Sequence, residues 1–230
     1  MRTLYITQEK TVKISVDELI LEGNLTIPKG AEDIILFAHG SGSSRYSPRN
    51  RYVAEVLQKA GLATLLIDLL TKEEEMEDRF TGHFKFDIEM LSDRLISASK
   101  WLLKETETRD FAIGYFGAST GAGAALIAAA KYPEAVHAIV SRGGRPDLAL
   151  QYLSKVKAPT LLIVGGNDTL VIEMNEEALK HLSIRKKIEI VQGASHLFEE
   201  PGTLEEVARL AAAWFVQYLN HKSLKENNFF

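Results

Sequence analysis

Residues 111–133 read "FAIGYFGASTGAGAALIAAAKYP". An apolar run reaches Phe116, Ser119 stands between Gly117 and Gly121, and the side chains that follow are small. Three structures could produce this pattern: a nucleophile on a tight strand-to-helix turn, a phosphate-cradling glycine loop, or a small-residue helix that packs closely. The phosphate loop lacks both a G-x-G-x-x-G fingerprint and the lysine of a P-loop. Close packing accounts for the alanines but not for a serine at the turn itself. A strand before Ser119 and a helix after it is the setting a G-x-S-x-G nucleophile elbow requires.

The flanking chain has the same rhythm. "DIILFAHG", "LATLLIDLL", "FAIGYFG", "AVHAIVS", "TLLIVGG" and "KIEIVQG" are almost continuously apolar. Runs of this kind mark strands buried on both faces, as in a parallel sheet covered by helices. Between them, "PRNRYVAEVLQKAG", "DIEMLSDRLISASKWLLKE", "TGAGAALIAAAKYP", "PDLALQYLSKV" and "EMNEEALKHL" repeat apolar residues every three or four positions. "TLEEVARLAAAWFVQYLN" closes the series as a last helix. The pattern predicts an α/β fold with a doubly wound, mostly parallel sheet. "TVKISV" and "LILEGNLTIP" alternate more, and predict an N-terminal antiparallel hairpin. Residues 1–230 read as one domain without an internal linker. Only "RGGRPDLALQYLSKVKAP" separates "AVHAIVS" from "TLLIVGG", enough for one loop and one helix but not for a cap domain. The long connection "TKEEEMEDRFTGH" is polar, and its acidic residues 72–78 read as a solvated loop or helix start. The alternative is that it rims the pocket together with Phe80, Phe84 and Phe86.

A serine hydroxyl needs a base to take its proton, and that base needs an acid to orient it. Downstream, "LLIVGGNDTLV" places Asp168 just past one strand, and "IEIVQGASHLFEE" places His196 just past the next. Open α/β sheets bind ligands at the carboxyl ends of their strands, so Ser119, Asp168 and His196 should converge on one edge. Asp68, in "LIDLL", is the rival acid. "ILFAHGSGSSR" brings a His-Gly loop to the same edge, and the backbone N–H groups of Ser41 and Thr120 are the expected oxyanion hole. His39, Arg142 and Arg145 are candidate substrate contacts, although His39 could instead brace its loop and either arginine could pin the loop after its strand.

Composition narrows the function classes. The chain has 46% hydrophobic and 25% charged residues, as in an ordinary globular protein. A net charge of −4 gives no basic footprint for nucleic acid. With no cysteine there is neither a thiol nucleophile nor a thiolate metal site. "MRTLYITQEK" has no signal-peptide core, and no apolar run is long enough for a membrane span. The expectation is a cytoplasmic protein without membrane or nucleic-acid partners, acting on a small-molecule ester with no metal or cofactor.

His39-Gly40, Gly117-Ala118-Ser119-Thr120-Gly121, Asp168 and His196 together resemble the α/β-hydrolase superfamily. More narrowly, they resemble its small, uncapped dienelactone-hydrolase-like branch, over residues 12–219. The resemblance implies an α/β-hydrolase fold and acyl-enzyme chemistry. The namesake enzymes of that branch use a cysteine nucleophile, whereas this chain has Ser119, which points to a serine esterase. Peptidase, thioesterase and lipase use the same machinery and remain alternatives. So do a catalytically silent hydrolase-fold binding protein and a Rossmann-type nucleotide binder.

Overall fold

The structure, a computed structural model, describes residues 8–219. Most of "MRTLYITQEK" and the end of the tail lie outside that range. The chain opens with β1 (Lys10–Val16), β2 (Leu19–Thr26) and β3 (Asp33–Ala38), then α1 (Pro48–Lys59) and β4 (Ala63–Ile67). α2 (Lys72–Thr81) and α3 (Ile88–Leu102) precede β5 (Ala112–Ala118), α4 (Thr120–Lys131) and β6 (Val136–Arg142). A 3₁₀ turn at Pro146–Ala149 runs into α5 (Leu150–Leu153), followed by β7 (Thr160–Gly165), α6 (Thr169–His181), β8 (Lys186–Val191) and α7 (Thr203–Leu219).

The eight strands form one sheet in the order β1-β2-β4-β3-β5-β6-β7-β8. β1 pairs with β2, and β2 with β4, in antiparallel fashion. The other neighbours are parallel. This is the predicted mostly parallel sheet with its N-terminal hairpin, and no cap interrupts it. The chain leaves β3 toward β4 on one side and later enters β5 on the other. The β3–β5 boundary is therefore a switch point, where a crevice opens at the strands' carboxyl ends.

Every residue of β4 and β5 is buried, which is why their sequences are apolar without alternation. α3 and α4 cover one face of the sheet and α1 and α7 the other, each with its own apolar cluster. Tyr115 is fully buried on the α3 side, and its hydroxyl is satisfied by Ser99 Oγ at 2.6 Å. Removing such a ring would cost about 3–5 kcal/mol.

One segment takes the helical alternative of its reading and another differs from expectation. The acidic stretch after β4 is a ten-residue helix, α2. Thr71 starts it with a reciprocal capping box to Glu74, and Arg94 clamps Glu74 through two nitrogens at 2.5 and 2.7 Å. Acidic residues in a first turn suit the positive end of the helix, so the charge run stabilises this helix rather than opposing it. "PDLALQYLSKV", expected as a full helix, is a 3₁₀ turn followed by a single α-turn. Among the described residues no helix is long and apolar enough to cross a membrane.

Candidate active site

The turn at Ser119 is built by steric necessity. A Cβ on Gly117 would stand 2.4 Å from Ala122 Cα, and one on Gly121 would stand 2.4 Å from the carbonyl oxygens of Ala38 and His39. Only glycine lets the strand, the helix and the β3 loop approach this closely. Ser119 itself takes φ 51° and ψ −122°, a conformation that side chains other than glycine rarely hold. Its N–H donates to Arg142 O at 3.2 Å, and its carbonyl accepts from Ala122 N and Arg145 N at 3.1 Å. The backbone is held on both sides, and the side chain stays partly exposed at the switch point.

Asp168 and His196 arrive as one unit. The loops after β7 and β8 interlock: Gly166 N–H donates to Val191 O, and Asn167 N–H to Ala194 O. The Asn167 amide adds a 3.0 Å bond to Gly193 O. A Cβ on Gly165 would meet the Ala194 and Ser195 carbonyls at 2.5 Å. Across this joint Asp168 Oδ2 lies 2.6 Å from His196 Nδ1. A carboxylate at Nδ1 keeps the proton there and leaves Nε2 as the acceptor. On the far side His196 packs against Gly143, where an added Cβ would lie 3.5 Å from His196 Cε1. Gly143 follows Arg142, whose carbonyl accepts from Ser119 N–H, so the segment of Ser119 and the Asp168–His196 pair lie at the same edge of the sheet.

The β3 loop lies against this site, with Gly40 close to the Ser119 Cβ. Ser41 N–H, an expected oxyanion donor, donates to Thr120 Oγ1 at 2.9 Å, so the two segments that carry the expected donors are tied to each other. His39 Nε2 accepts from Leu69 N–H at 3.0 Å, which puts the proton on Nδ1, beside Gly40 O at 2.9 Å. Burial holds its pKa below the ordinary value, so the ring stays neutral. Both nitrogens are committed to backbone, so His39 braces the loop.

Arg145 is likewise taken, in a two-pronged pair with Asp147 at 2.8 and 2.7 Å. The rival acid Asp68 is bound to the Arg45 guanidinium and to Arg45 N–H, and Glu22 completes that cluster. It anchors the β3 loop. Sequence reading missed Arg45 and Asn167, since neither stands in a motif and only the folded loops bring them to their partners.

A cavity of about 570 Å³ lies between the β3 loop and α2. His39, Ser41, Ser43 and Arg49 line it on one side, and Glu75, Asp78, Arg79 and Lys85 on the other. α2 thus rims a pocket, but with charged groups: Phe80 and Phe86 stand exposed outside the lining.

Comparison with known proteins agrees with this architecture. The profile of the dienelactone hydrolase family matches residues 21–222. The crystal structure of a dienelactone hydrolase from Anabaena variabilis is 64% identical, with a TM-score of 0.91 over 93% of this chain and 99% of that one. A Xanthomonas campestris protein described as an α/β serine hydrolase without lid shares the fold at 18% identity, with a TM-score of 0.72 over 94% and 97% of the two chains. Two curated relatives from strains of Mycobacterium tuberculosis carry the provisional name phosphoribosyl transferase. They are 53% identical over 92% of this chain, which spans only 47% of their length.

Proposed function

The chain belongs to the dienelactone hydrolase family, and from that premise we propose that it cleaves small carboxylic esters through an acyl-enzyme on Ser119. The observation that carries this reading is the 2.6 Å Asp168–His196 pair, locked by interlocking loops beside a serine held at positive φ. His196 Nε2 takes the hydroxyl proton as Ser119 Oγ attacks the ester carbon. The oxyanion forms against the amides of Ser41 and Thr120, the latter in the first turn of α4, where N–H groups have no intrahelical acceptor. For Ser41, that means Thr120 Oγ1 shares its N–H with the developing charge. The imidazolium, stabilised by Asp168, passes its proton to the alcohol as the C–O bond breaks. Water then repeats the sequence on the acyl-enzyme and releases the acid.

A fluorophosphonate probe tests this. One adduct, mapped to Ser119 and absent from Asp168→Asn treated alike for the same short time, is the expected result. An unlabelled protein would overturn the reading. The Mycobacterium relatives' name suggests a second reading, group transfer from a phosphorylated sugar. It rests on 53% identity to about half of a longer protein, and it has no need of a reactive Ser119.

A further inference from the structure

Arg142 ends β6 in register with Ala118, immediately before Ser119. It is 8% exposed, its Nη1 has no hydrogen-bond partner, and among the described residues no carboxylate pairs with it. Arg49, in the first turn of α1, is near enough for its positive charge to act on Arg142. Burial, with Arg49 beside it, pushes the Arg142 guanidinium down to about 10. Arg49 also has a buried, unpartnered Nε, and among the described residues its one ion pair, at 3.2 Å, is to the mostly exposed Glu199. Other buried cations in this fold are matched: Arg45 has Asp68 and Glu22, and Arg94 has Glu74.

A buried guanidinium without an anion costs several kcal/mol, so Arg142, with the partly exposed Arg49 adding positive charge, is a liability beside the proposed nucleophile unless something fills it. The N-terminus of α1 adds further positive potential. Arg49 opens onto the cavity shared with Ser41, Ser43 and Ser47, whose hydroxyls can bond to oxygen acceptors. Two guanidiniums approached from different elements suit a dianion with oxygens in three directions better than a flat monoanion.

We propose that Arg142 and Arg49 form an anion subsite for a phosphate group carried by the substrate, next to Ser119. This deepens the esterase reading and rests on it for the word substrate: the ester cleaved is one that bears a phosphate elsewhere in the molecule. Binding is tested without turnover, by calorimetry with inorganic phosphate and with succinate at constant ionic strength. Phosphate should bind to a single site, more tightly than succinate. Arg142→Met and Arg49→Met should each weaken it about tenfold or more, the loss of one charge-assisted bond. Methionine keeps the apolar stem and removes only an unmatched charge, so Arg142→Met should melt no lower than wild type in phosphate-free buffer. No phosphate binding, binding unchanged in both variants, succinate bound as well as phosphate, or Arg142→Met melting several degrees lower would each overturn the subsite. Should Arg142→Met fail to fold, that too counts as a structural role for Arg142, and Arg49→Met still reports on the anion. Loss of fluorophosphonate labelling with phosphate binding intact would instead remove the hydrolase reading and leave the site.

Discussion

Ser119 stores backbone strain of about 1–3 kcal/mol, which glycine at the same φ would not incur. Ser119→Ala should abolish ester turnover, by on the order of 10⁴-fold or more in kcat, with an unchanged circular dichroism spectrum. Ser119→Gly should be equally inactive yet more stable in thermal melts, by up to about 2 kcal/mol once glycine's extra unfolded-state entropy is subtracted. A Ser119→Gly protein that melts lower than Ser119→Ala would show that the turn is relaxed. Asp168→Asn keeps the shape but can favour the wrong imidazole tautomer, so kcat should fall by roughly 10⁴ while KM changes little. The residues named in these tests were legible in the chain because each follows an apolar run that can only be a strand. What the chain hid were the partners of polar groups. Asp68 and Asp168 both follow the carboxyl end of a strand, and nothing local tells that one meets Arg45 and the other His196. The Ser41–Thr120 bond and the Arg142–Arg49 juxtaposition cross the sheet edge between distant segments, and no spacing rule reports them.

Elements were readable where periodicity was strong and obscured where charge masked it. α2 read as either a loop or a helix start because its apolar residues are few, and its capping box and the Glu74–Arg94 pair are enough to hold the helix. β3 carries a different conflict at its first residue. Asp33 is half-buried with an unpartnered Oδ1, and burial together with the neighbouring Glu32 pushes its pKa from 3.8 up to about 7. Between those values the folded chain binds the proton that the unfolded chain has lost. The stabilisation is therefore complete below pH 3.8 and disappears as pH rises through 7. Asp33→Asn, neutral throughout, should melt higher than wild type at pH 8, with the gap closing toward pH 4. Thermal melts at the two pH values decide it, and an equal gap at both would mean that Asp33 does not titrate in this range.

At the scale of the whole molecule, the absence of a cap sets the substrate range under the esterase reading. The cavity beside the β3 loop is rimmed by Glu75, Asp78, Arg79 and Lys85, and its apolar lining is a short patch of Tyr46, Pro48, Leu69, Leu70 and Leu91 that a short acyl chain would cover. Each methylene left in water forgoes about 0.8 kcal/mol. Across p-nitrophenyl esters of two to twelve carbons, kcat/KM should peak at acetyl to butyryl, whereas a steady climb to the longest chain would favour a lipase. Strand order carries a consequence of its own. Ser119 leaves β5, in the middle of the sheet, while His196 leaves β8, an edge strand whose residues are mostly half-exposed or exposed. Edge segments open with lower free energy than the core. Because Asn167 and Gly166 bolt the β7 loop to the β8 loop, fraying at that margin would carry base and acid away together and leave the serine in place. On warming, then, the molecule should fall silent before it melts. Amide protons of β8 should exchange with deuterium well ahead of those of β5, at temperatures where the far-ultraviolet signal is still intact.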